Sequence, residues 1–148
     1  MDSENRLGKK SFYIISLISA IIVMLSSFEA IIRVKDRELF LSFARDNFPD
    51  QLIDTSIFNT YVTSELSLYL IKVFIPISIA ILAYLALTKV RFSRIFIFIW
   101  TILAAGGFAY TFLEFNFYSV FYYSILLLYI VLILFLYFFV GLNRKSTK

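Results

Sequence analysis

Polar and apolar residues fall into long separate blocks along this chain. From Phe115 to Asn143 no residue carries a formal charge, and from Ile125 to Val140 every side chain is Ile, Leu, Val, Phe or Tyr. An apolar run of about 18 or more residues is long enough to cross a bilayer as a helix. Lipid offers the backbone no hydrogen-bond partner, so a crossing chain must satisfy its own N–H and C=O groups. Three further blocks read the same way. Ser11–Phe28 is uncharged and opens a first span that reaches about Ile32. Leu66–Thr88 gives a second span, interrupted by Lys72 and Pro76, with Ser64 as its expected cap. Ile95–Leu113 gives a third, ending at Glu114. The pattern predicts an all-α membrane protein, a four-transmembrane-helix bundle forming a single membrane domain over 1–148. Its spans are expected at about 11–32, 66–88, 95–113 and 117–141.

One long polar block remains, a loop over about 33–65. Within it Leu39, Phe40, Phe43 and Ala44 recur at helical spacing with charges between them, which predicts an amphipathic helix over Asp36–Phe48. Asp36 is its expected N-cap and Pro49 its stop. A second short helix is expected to begin near Asp54 or Thr55.

Charge sets the orientation. The N-terminal tail (Arg6, Lys9, Lys10), the Lys89–Arg94 loop and the C-terminal tail (Arg144, Lys145, Lys148) are basic, against Asp2 and Glu4. The long loop is acidic instead, with Glu29, Asp36, Glu38, Asp46, Asp50, Asp54 and Glu65 against Arg33, Lys35, Arg37 and Arg45. Cytoplasmic segments carry the Lys/Arg excess, so both termini are expected in the cytoplasm and the long first loop outside. Tyr69, Tyr110, Tyr118, Tyr122 and Tyr123 near the outer boundary, and Tyr13, Tyr84 and Tyr137 near the inner one, fit interfacial belts. A basic head before an apolar run also describes a signal peptide. The run exceeds a normal signal core, and Ser27-Phe28-Glu29-Ala30 is a poor cleavage site, so an uncleaved first span is expected. The expected location is the cell membrane, plasma or inner.

Composition removes much chemistry. Hydrophobic residues make up 61% of the chain and charged ones 16%. There is no Cys and no His, so Cys- or His-based metal sites and His-dependent triads are not available. No metal, cofactor or catalytic residue is expected, and the positive charge of +4 is assigned to membrane flanks and not to nucleic acid. No glycine occurs between Gly8 and Gly106, so the spaced Asp46, Asp50 and Asp54 do not make an EF-hand calcium loop.

Small residues permit close helix contact in lipid. Ser16, Ser19, Ala20, Ser26 and Ser27, then Ala80, Ala83 and Ala86, then Ala104 to Gly107 and Ala109, form stripes expected to face one another, with the Gly106-Gly107 pair packed inside the bundle. Depth counting supplies the site hypothesis. Counted across the first and second spans, Glu29 and Lys72 reach the same level near the outer boundary, where Glu114 ends the third. Ionisable residues in spans are costly and usually paired or functional. Glu29, Lys72 and Glu114 are therefore expected to converge below the outer loop as a charged vestibule for a ligand head group or partner, with Phe40 and Phe43 as further candidate residues; the alternative is that Lys72 snorkels to the interface and the acids mark helix ends.

The layout resembles claudins in outline, without their tryptophan- and cysteine-bearing loop motif. Small multidrug exporters share the span number, yet Ser16–Met24, where their mid-helix glutamate would fall, has no acid. The function expected is a non-enzymatic interaction, accessory, regulatory or immunity-type protein working through the outer loop. Its partners would be the lipid bilayer and another membrane protein or a second copy of itself. The alternative is a small oligomeric transporter or flippase of a lipid-linked or amphipathic substrate.

Overall fold

The computed structural model describes residues 7–49, 51–88, 94–114 and 119–140. Among them are five α-helices and no strand: α1 (Lys9–Lys35), α2 (Arg37–Asn47), α3 (Thr55–Thr88), α4 (Arg94–Leu113) and α5 (Val120–Phe135). One π-helical turn over Leu136–Val140 continues α5. The basic stretch 89–93, both terminal tails and the link at 115–118, Tyr118 included, lie outside the described residues.

Four helices are long and apolar enough to cross a membrane: α1, α3, α4, and α5 with its π-helical turn. Over their membrane-length stretches they are largely apolar all the way round. Leu17, Phe74, Ile95 and Leu127 are exposed on the perimeter, while Ile15, Ile79, Trp100 and Leu132 fill the interior. A helix of this kind suits hydrocarbon on its outside. Each spanning helix makes its main contacts with two neighbours, in a ring that runs α1, α3, α4, α5 and back to α1. The ring encloses a filled core of Ile15, Ile22, Ile79, Ala83, Trp100, Ala104, Ile125, Tyr129 and Leu132. The Trp100 indole N–H donates to the Ile79 carbonyl at 3.2 Å, which places its polar edge.

The small-residue stripes split. Ser19, Ser26, Ala83, Ala86, Ala104 and Gly107 point inward, but Ala20, Ala105, Gly106 and Ala109 point outward. The two adjacent glycines differ for the same reason. A Cβ at Gly107 would stand 2.5 Å from the Tyr129 ring, whereas one at Gly106 would meet nothing within 4 Å. Gly107 thus lets α5 bring a tyrosine against the α4 backbone.

α2 begins at Asp36, whose side chain accepts from the Glu38 N–H at 2.9 Å and the Leu39 N–H at 3.2 Å. These bonds satisfy amide groups that a helix start leaves without partners. α2 stops at Asn47, before Pro49. Its apolar face meets α3: Phe40 lies 5.4 Å from Phe58 and 5.6 Å from Tyr61, and Phe43 lies 5.4 Å from Tyr61, centroid to centroid.

The expected short helix after Pro49 is not separate from the second span. α3 runs unbroken for 34 residues, through Ser64 and through Pro76. Asp54 caps it by accepting from the Ile57 N–H at 3.0 Å. The hydroxyls of Thr60, Thr63 and Ser67 bond back to carbonyls four residues earlier, so they do not end the helix. At 1.5 Å per residue α3 is about 50 Å long, well beyond a hydrocarbon core of about 30 Å. At its far end the Leu7 N–H donates to the Ala86 carbonyl at 3.1 Å and fastens the chain before α1.

Candidate functional site

α1 and α3 run antiparallel, so a residue late in α1 meets one midway along α3. Lys72 Nζ donates to Glu29 Oε2 at 2.7 Å and forms an ion pair with Glu114 Oε2 at 2.5 Å. The three side chains are 8%, 3% and 15% exposed for Lys72, Glu29 and Glu114, so the ions attract one another with little water between them. Toward α2, Arg33 forks onto Glu65, with Nε to Oε2 at 2.7 Å and Nη2 to Oε1 at 3.0 Å. This bidentate geometry is the strong form of the pair. The Tyr61 hydroxyl donates to the Arg33 carbonyl at 2.6 Å, and the Ser27 and Tyr69 hydroxyls share a bond of 3.0 Å. Two ion pairs and two hydroxyl bonds thus join the same ends of α1 and α3.

Among the described residues this cluster sets three carboxylates, Glu29, Glu65 and Glu114, against two cations, Lys72 and Arg33. Glu114 stands one residue past α4. Burial pushes its carboxyl above the usual carboxylate range, while Lys72 pulls the other way. The space left inside is about 10 Å³, lined by Ser26, Glu29, Lys72 and Glu114 among others. That is room for about one water. The Ser26 hydroxyl, buried at the same level, has no hydrogen-bond partner among the described residues. Glu29, Lys72 and Glu114, which depth counting sets at one level, meet as an ion cluster that leaves little free space.

Phe40 and Phe43 stand apart from the cluster. They are half-buried between α2 and α3 and hold α2 in place. A larger opening lies on the other side of α2. It is a groove of about 620 Å³ between the end of α1, α2 and the start of α5, lined in part by Glu29, Ile32, Asp36, Glu38, Leu39 and Val120. Sequence reasoning did not find this groove, the Arg33–Glu65 fork or Tyr61. The fork had a signal: the same depth count, carried toward α2 along both helices, reaches Arg33 and Glu65. The groove had none, because it depends on where α2 rests.

Comparison with protein-family models, with curated proteins and with solved structures finds no match to this chain.

Proposed function

We propose that this chain is a multi-pass protein of the cell membrane, plasma or inner, with both termini in the cytoplasm. It acts as a non-enzymatic interaction protein, of accessory, regulatory or immunity type, through an amphipathic helix in its long first extracytoplasmic loop. That loop is the segment carrying α2. In the sequence the Lys/Arg excess falls in the segments outside that loop, and cytoplasmic segments carry such an excess.

One observation carries the reading: the interior is filled. A small oligomeric transporter or flippase would need polar groups near the midplane. At that level Ile22, Ile79, Trp100, Ala104 and Leu132 are packed side to side. Apart from Ser19, Tyr129 and the Trp100 indole N–H, the buried polar groups of the described residues gather at the α2 end. There Phe40 and Phe43 fix α2, and Glu29, Lys72 and Glu114 fix the helices under it.

Two measurements test this. The chain has no cysteine, so single cysteines can be placed at Ser42 and Ser146. An impermeant maleimide added to intact cells should label Ser42→Cys and spare Ser146→Cys; the reverse pattern ends the proposal. A mild-detergent pull-down should then recover a stoichiometric larger partner. Recovery of a lone homo-oligomer that moves amphipathic substrate between leaflets would establish the carrier instead.

A further inference from the structure

We infer that the seam between α1 and α3 holds one acyl chain of an anionic phospholipid, with the head group on Lys9 and Lys10. This goes beyond the interaction reading, and only the leaflet rests on it: cytoplasmic termini make it the inner one. A groove of about 510 Å³ runs along the seam, within the range of pockets that take a compact ligand. Small side chains create it. Ser16 and Ala20 on α1 and Ala80 on α3 lie low between larger neighbours. On α1 the groove extends from Phe12 to Val23, a rise of about 16 Å. A hydrocarbon core of about 30 Å gives each leaflet about 15 Å. The groove therefore has the length of one lipid tail and is too short to seat a second spanning helix. Its lower end lies at Phe12 and Tyr84, whose rings stand 6.5 Å apart. Tyr84 is exposed, and tyrosines favour the level of the head groups.

Charge at that end is one-sided. Lys9 stands one turn before Phe12, on the same face of α1, with Lys10 beside it. Both are exposed, and neither has an ion pair among the described residues. Every acid among the described residues belongs to the opposite, α2 end. Over residues 1–10 Arg6, Lys9 and Lys10 outnumber Asp2 and Glu4. The first turn of α1 contains no acid, and its N-cap, Gly8, has no side chain to bond the free amides. Two cations thus occupy the positive end of a helix dipole, where an anion is favoured. A lipid phosphate answers both, as head groups do in basic pockets between spanning helices. Topology accounts for lysines at a cytoplasmic end, but not for an apolar groove of one leaflet's depth that starts beside them.

The test uses the purified full chain in nanodiscs of phosphatidylcholine. The probe is phosphatidylglycerol with a photoreactive diazirine in one acyl chain, and the control is phosphatidylcholine with the same chain. On irradiation the anionic probe should label peptides around Ala20 and Ala80 saturably, and the control should label them far less. Each lysine near an anionic lipid is worth about fivefold in affinity, so Lys9→Gln with Lys10→Gln should weaken the probe about 30-fold. Ala20→Leu fills the groove and should abolish labelling around Ala80 with both lysines in place. Ala80→Leu fills it from the other helix and should abolish labelling around Ala20. Arg45→Gln, in α2, should change nothing. Equal labelling by both lipids, equal loss in Arg45→Gln and the lysine variant, or unchanged labelling in the two groove-filled variants overturns the inference. If the anionic probe behaves as expected while Ser146→Cys is labelled from outside the cell, the lipid site stands in the outer leaflet and the orientation reading alone falls.

Discussion

Lys72 shows how much a single residue decides here. Its ammonium stands between two carboxylates, all three largely shielded from water. Removing one member of a buried ion group leaves the others uncompensated, at a cost of about 3–5 kcal/mol. Lys72→Met should therefore lower unfolding stability in detergent by about that amount, and adding Glu29→Gln and Glu114→Gln should restore most of it. A single variant as stable as the parent would show that the cluster contributes nothing. The two glycines of α4 make a second contrast. Gly106 has open space around it, so Gly106→Ala should stabilise by up to about 1 kcal/mol through helix propensity. Gly107→Ala drives a methyl into the Tyr129 ring and should cost about 1–3 kcal/mol. Tyr129→Leu in the same chain should relieve that clash, which a double-mutant cycle would register as coupling.

At the scale of elements, α2 depends on an aromatic latch and a cap. Phe43→Ala should cost about 1–2 kcal/mol, less than the 3–5 of a fully buried phenylalanine, because the ring is only half-buried. The loss should be local: amide exchange in α2 quickens, while the spanning helices keep their protection. Asp36→Ala should add about 1 kcal/mol of helix-end destabilisation. This is also the scale at which sequence reading divides. Leu39, Phe40, Phe43 and Ala44 announce a greasy face by their spacing, and Asp36 and Pro49 announce its limits, because those signals are local. The length of α3 is not announced. A short helix near Thr55 and a separate span capped at Ser64 are what the hydroxyls of Thr55–Glu65 suggest, and the bonds of those hydroxyls back to helix carbonyls let the two run on as one. Which small residues face inward is equally silent, since Gly106 and Gly107 differ only by the neighbour that each meets.

For the whole molecule, four apolar blocks were legible because lipid imposes one solution on a long uncharged run. The ring order of the helices was not, because it depends on side chains meeting across distant parts of the chain, such as Trp100 on Ile79 and Tyr129 on Gly107. The filled ring makes its own prediction. Proteoliposomes containing the chain should show ion conductance no higher than protein-free lipid; a steady current would require a path that Ile79, Ala83, Trp100 and Ala104 occupy. The length of α3 has a mechanical consequence as well. A helix is stiff along its axis, so this one behaves as a mast stepped through the bilayer. A load hung on its top, at Phe58 and Tyr61, leans the whole mast, and the heel at Ala86 shifts the opposite way, taking Leu7 with it. Were a partner to dock there as proposed, the event would cross the bilayer as tilt, with nothing flowing through.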